Sequence, residues 1–107
     1  MFTRIVEINT KAGKAKELST TVADKVLPIL RNQPGFVDEI TLVSTDDPNR
    51  IVALSFWKSK EDAERYNREQ FNNIKDIIRP LAERDPVVRT YDVETSTTHH
   101  IAKGKAA

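Results

Sequence analysis

His99 and His100 are the only histidines among the 107 residues, and they are adjacent. Neighbours on an extended segment point to opposite faces, so the pair is not spaced to chelate one metal. If the tail crossed into a partner subunit's cavity, one of them could act as a general base. Solvated tail residues are the simpler expectation. Zero cysteines exclude disulfides, thiolate nucleophiles, Fe–S clusters and Cys-ligated zinc together. Gly13, Gly35 and Gly104 are too far apart to cradle a phosphate. Asp46-Asp-Pro-Asn49 has the flavour of a calcium loop but lacks its glycine and distal glutamate, which leaves hairpin chemistry. No nucleophile elbow surrounds any serine. No metal site is therefore expected, and what remains is hydrogen-bonding and acid–base chemistry from side chains that the fold must bring together.

The elements that would position such side chains are legible from periodicity. Residues 2–9 (FTRIVEIN) alternate as a strand, with Phe2, Val6 and Ile8 sharing one face with Arg4, and Ile5 among Thr3, Glu7 and Asn9 on the other. Gly13 suits a turn with φ > 0. From Ala15 the apolar period becomes helical, through Leu18, Val22, Val26 and Ile29, and Pro28 predicts a kink or break. Phe36–Ser44 and Ile51–Trp57 read as strands joined by the Thr45–Asn49 turn. Ser59 is a helix N-cap followed by acidic residues. The apolar stripe it opens slips by one residue before Phe71, which predicts two helical pieces with a bend near Asn67–Gln70. Val87–Glu94 is the last strand. Residues 1–96 form one domain, and residues 97–107 a C-terminal tail.

The order βαββαβ predicts a ferredoxin-like α+β fold, a four-stranded antiparallel sheet with both helices on one face and strands one and three central. Ile51–Trp57 is apolar on both sides, as a central strand covered on both faces would be. If its Val52, Leu54 and Phe56 set meets the helices, then Ile51, Ala53 and Trp57 lie with Ile5 on the free face. A large exposed apolar face marks an interaction surface, and the simplest partner is a second copy about a two-fold axis, giving a homodimer.

Lys plus Arg total 17 against 16 for Asp plus Glu, and the two halves of the chain balance separately. That argues against an electrostatic nucleic-acid binder. The third strand, IVALSFW, also lacks the glycine and basic residues of an RNA-recognition sheet. No apolar run approaches the roughly 20 residues of a membrane span. Arg4 and Glu7 interrupt any signal-peptide core, so the expected location is cytoplasmic.

With Gln33-Pro-Gly-Phe36 and Leu54-Ser-Phe-Trp-Lys-Ser-Lys-Glu-Asp-Ala63 in order after the Gly13 turn, the chain resembles the antibiotic biosynthesis monooxygenase family, within the dimeric α+β barrel superfamily. The resemblance runs from Phe2 to about Glu94. It implies a face-to-face homodimer and a cavity between the sheet and the second helical region. It also implies cofactor-independent oxygenation of a small phenolic or quinol-like aromatic substrate, with no cofactor. On this resemblance the catalytic candidates are Tyr66 and Asn67, and the substrate-binding candidates are Trp57, Phe71, Arg89 and Tyr91. The haem-degrading members of the family are not matched. Val6 and Tyr66 stand where their Asn and Trp would, and no histidine follows in the second helix.

Each candidate has a purely structural reading. Trp57 could anchor the core or an interface, Tyr66 and Phe71 could be packing, and Asn67 could satisfy backbone bonds at the phase slip. Arg89 and Tyr91 share a strand face with Val87 and Val93 and would meet either the helices or an edge. The alternative function is a non-catalytic homodimer that binds a small aromatic molecule. A titratable group facing the cavity favours the enzyme; a lining of Trp57, Tyr66 and aliphatics alone favours the binding protein.

Overall fold

The computed structural model describes residues 1–101, and the last six positions of the tail lie outside the described residues. Four strands, β1 (Phe2–Asn9), β2 (Phe36–Val43), β3 (Arg50–Trp57) and β4 (Val87–Asp92), form one sheet. Their spatial order is β2-β3-β1-β4 and every pair is antiparallel. With the helical segments on one face this is the ferredoxin-like α+β fold, and the central strands are the first and third. The observed strand ends fall within two residues of those read from periodicity, as hydrogen-bond definitions of an end allow.

The first helical segment is not uniform. α1 (Ala15–Thr21) passes into a π-helical turn at Val22–Val26 and then into α2 (Leu27–Arg31). Pro28 has no amide to give the carbonyl four residues back, and its ring crowds that carbonyl. The chain accommodates it by widening the preceding turn, where the Leu27 amide donates to the Val22 carbonyl, five residues back. The second segment breaks at Gln70 into α3 (Lys60–Glu69) and α4 (Phe71–Ile78), where the stripe changes phase. Ser59 caps α3, its Oγ accepting from the Asp62 amide at 3.2 Å and donating to Asp62 Oδ2 at 3.0 Å. Asp62 in turn lies against Gly35, whose φ of +77° and lack of a Cβ let the two loops meet.

Register decides the faces. β1 pairs Phe2 with Trp57, Arg4 with Ser55, Val6 with Ala53 and Ile8 with Ile51. Directly opposed residues share a face, so Ile51, Ala53 and Trp57 lie under the helices with Phe2, Val6 and Ile8. This corrects the expectation that Val52, Leu54 and Phe56 would face the helices. Ile51 and Trp57 are 0% exposed, and the core continues through Leu18, Leu30, Ile74 and Ile78. The open face carries Ile5, Val52, Leu54 and Phe56, with Ile40 and Leu42 from β2. On β2 the faces change phase at a bulge between Phe36 and Asp38. Phe36 and Glu39, three positions apart, therefore both turn toward the helices.

The tail departs from its solvated expectation. A bridge between Ser96 and Ile101 folds it back, and His99 is half-buried against Phe56 at 5.5 Å between ring centroids, with Nε2 3.8 Å from Asp38 Oδ2. His99 thus lies on the open face of its own subunit. No described helix is long and apolar enough to cross a membrane.

Candidate functional site

Four residues opposed across the sheet, Glu39, Ser55, Arg4 and Thr90, make one polar row beneath the helices. Above the row lie Tyr66 from α3 and Phe71 from α4. Between these layers is a cavity of about 50 Å³. Its lining is mainly aliphatic, with Val22 and Val26 of the π-helical turn among it, and Arg4, Glu39, Ser55 and Tyr66 supply the polar groups. A second cleft of about 300 Å³ lies on the other side of Arg4, lined by Phe2, Lys60, Asn67, Val88 and Thr90. Arg4 belongs to the wall of both.

Arg4 is the only charged residue among those described that is fully buried, at 2% exposure. Its guanidinium carbon is 4.5 Å from the Phe71 ring centroid and 5.1 Å from that of Tyr66, within cation–π range of both. Nη1 donates to Asn67 Oδ1 at 3.0 Å, while Nε and Nη2 are buried without a hydrogen-bond partner. Desolvation pushes the Arg4 pKa below its ordinary value, an effect the neighbouring Tyr66 opposes. Arginine stays charged across ordinary pH in any case.

The two titratable groups near it are shifted in the direction of their neutral forms. Burial raises the Glu39 pKa, against a lowering hydrogen bond from Thr41 Oγ1 at 2.7 Å, and Asp38 raises it further. Tyr66 is pushed up to about 12, first by burial, with Arg4 lowering it and Glu39 raising it. Tyr66 therefore keeps its proton at neutral pH and can donate. Glu39, where ionised, is a stronger base than a solvated carboxylate.

The sequence candidates separate into two groups. Tyr66, Asn67 and Phe71 gather around Arg4. Trp57 is next to them but sealed, 4.9 Å from Tyr66 and 5.7 Å from Phe36 between ring centroids, with Nε1 donating to Ser55 Oγ at 2.9 Å. It supports Tyr66 and Ser55 from behind and does not line the cavity. Arg89 and Tyr91 do not join the site. Their register opposite Ile5 and Thr3 puts them on the open face, where Arg89 lies 3.7 Å from Glu7. Periodicity alone singles out neither Arg4 nor Glu39. For Arg4 a signal existed, one charge on a strand face otherwise made of Phe2, Val6 and Ile8. For Glu39 the bulge removes the signal, because strict alternation from Phe36 points Glu39 outward. Among the described residues no three His, Cys, Asp or Glu side chains converge to hold a metal.

The family model for antibiotic biosynthesis monooxygenase matches residues 1–73. The fold is similar to that of SnoaB, a cofactor-independent oxygenase from Streptomyces nogalater, with a TM-score of 0.75 and 18% identity over 90% of this chain and 95% of that one. It is also similar to a monooxygenase from the gene ActVA-Orf6 of Streptomyces coelicolor, solved in complex with nanaomycin D. There the TM-score is 0.77 and the identity 16%, over 89% and 88% of the two chains. NE2512, a protein of unknown function from Nitrosomonas europaea, is similar with a TM-score of 0.75 and 13% identity, over 90% and 91%. No curated protein matches the sequence. At these identities the structural likeness speaks for the fold.

Proposed function

This chain belongs to the antibiotic biosynthesis monooxygenase family, and from that premise we propose that it is a cofactor-independent monooxygenase acting on a small phenolic or quinol-like aromatic substrate. The observation that carries the reading is a carboxyl, Glu39, and a guanidinium, Arg4, on one wall of an otherwise largely aliphatic cavity roofed by Tyr66. A lining of Tyr66 and aliphatics alone would have favoured the non-catalytic binding protein; a titratable carboxyl facing the cavity favours chemistry.

The roles follow from the groups. Glu39 takes a proton from the substrate's acidic carbon or hydroxyl, and the apolar wall that raises its pKa also makes it the better base. The resulting carbanion gives one electron to O₂, and the radical pair combines into a carbon-bound peroxide anion. The protonated Tyr66 hydroxyl supplies the donor for that developing charge, and Arg4 holds the substrate by its own charge. The peroxide takes a proton. Loss of a second C–H proton with cleavage of the O–O bond then leaves a carbonyl and water, so that the substrate supplies all the electrons.

The test is oxygen uptake with a hydroxyanthrone-type quinol in chelator-treated buffer without flavin or haem. Turnover above autoxidation is expected, falling about 10²–10⁴-fold in Glu39→Gln if Glu39 is the base, with a smaller loss in Tyr66→Phe. Uptake no faster than autoxidation, or unchanged by Glu39→Gln, would overturn the reading.

The same proposal includes a homodimer built on the open face. Leu42 and Tyr91 are 49% and 48% exposed there, Ile40 and Val87 are also exposed, and His99 covers only the Phe56 end. A second copy would remove this apolar surface from water.

A further inference from the structure

Arg4 presents a mismatch between charge and partners. It is a buried cation whose one hydrogen bond goes to a neutral amide, Asn67. Glu7, the carboxylate nearest to it in sequence, points to the other face and lies near Arg50 and Arg89 at 3.8 and 3.7 Å. The opposed residue on β3 is Ser55, and Glu39 is two strands away, about 9–10 Å between Cα atoms from the usual strand spacing. Sealing a cation from water without a counter-charge is costly, and the rings of Phe71 and Tyr66 offset only part of that cost.

The unpartnered donors are specific. Nε and Nη2, the two atoms left without a hydrogen bond, lie along one edge of the planar guanidinium, and their N–H bonds run parallel. That edge fits two coplanar oxygens of one anion, the bidentate geometry of a carboxylate, and a lysine ammonium cannot reproduce it. Nη1 is held by Asn67, so the free edge has a fixed orientation. Arg4 also stands in the wall shared by the cavity and the 300 Å³ cleft; its two free donors are covered, so a ligand reaches them by displacing the side chains over them.

We propose that Arg4 is a specificity-determining residue whose Nε/Nη2 edge holds a carboxylate of the ligand, so that the pocket selects an aromatic carboxylic acid. The inference deepens the oxygenase reading and rests on it for the identity of the ligand as the molecule oxidised. With the carboxylate on Arg4, the far end of a two-ring aromatic lies toward Glu39, two strands away, and away from the repulsion of like charges.

Calorimetric titration of the full chain near neutral pH with naphthoate, naphthamide and naphthol tests it. Naphthoate should bind about 10- to 150-fold more tightly than naphthamide, the ratio that corresponds to a charged hydrogen-bond contribution of about 1.5–3 kcal/mol. Naphthol, with one oxygen, should resemble the amide. In Arg4→Met the preference should fall to about twofold or less, and Arg4→Lys should restore only part of it. Naphthoate binding no tighter than naphthamide or naphthol in the unaltered protein overturns the proposal, and so does an undiminished preference in folded Arg4→Met. The first comparison needs no variant to fold. Oxygen uptake separates the two readings. Quinol turnover without carboxylate preference removes the Arg4 assignment alone, and carboxylate preference without turnover of any quinol removes the oxygenase alone.

Discussion

On the helix-covered face of the sheet Ile51 and Trp57 are 0% exposed, whereas on the other face Leu42 and Tyr91 keep 49% and 48% of their surface in solvent. Both faces mix apolar and charged residues. On the covered face Arg4 is held inside among aromatic rings and Glu39 lies in the same cavity wall, whereas on the open face Glu7 and Arg89 sit 3.7 Å apart within reach of water. A polar residue on a strand therefore means opposite things on the two sides of this sheet. On the open face such a pair is worth little and keeps the surface soluble. On the covered face the same residue type must have a partner, and the partner available to Arg4 within the chain satisfies only one edge of it.

The largest effect is expected at Trp57. Trp57→Ala removes a fully buried indole and orphans Ser55, and should cost about 3–5 kcal/mol in urea unfolding. A loss below about 1 kcal/mol would mean that the covered face is not the core. Two adjacent positions on β3 should differ next most. Ala53→Glu puts a carboxylate under the helices and should cost about 3 kcal/mol or more, while Leu54→Glu, one residue on, should cost about 1 kcal/mol in the monomer. Equal costs would erase the distinction between faces.

A smaller effect on the fold is expected from Leu42→Glu, about 0.5 kcal/mol for an exposed site. Light scattering should show the dimer mass falling to that of one chain in this variant. A wild type that is already monomeric would remove the interface.

The last contrast is one of pH dependence. Because burial raises the Glu39 pKa in the folded state, the native protein holds that proton more tightly than the unfolded chain does. The contribution to stability is complete below the ordinary value of 4.5 and is lost as pH rises through the raised one. Glu39→Gln, neutral throughout, should flatten that part of a plot of melting temperature against pH. Tyr66 follows the same sign between 10 and about 12, and Tyr66→Phe should remove its share. Slopes unchanged by either variant would mean that the two groups are solvated as on the open face.

Much of the fold was legible because its signals are local. The alternation of residues 2–9, the Pro28 disruption, the Ser59 cap and the phase slip before Phe71 each report on a few neighbouring residues, and each has its counterpart in the structure. Part of the candidate site was legible for the same reason, since Tyr66 and Phe71 are the apolar-stripe residues on either side of the phase slip and Asn67 adjoins Tyr66. The rest depends on long-range pairing. Arg89 and Tyr91 look like cavity residues until β4 is registered against β1, and Glu39 looks outward until the bulge after Phe36 is counted.

By itself, then, the sequence determined the order of the elements, where they start and break, and the central position of the first and third strands, because backbone geometry and hydrophobic period act over a turn or a strand. Long-range pairing set which face of β3 is covered, that Trp57 is sealed, and that Arg4 and Glu39 share a cavity wall. A strand's period is two, so a shift of one residue in register or a single bulge exchanges inside and outside. That choice is made by cross-strand pairing between residues some fifty positions apart, as when Arg4 meets Ser55.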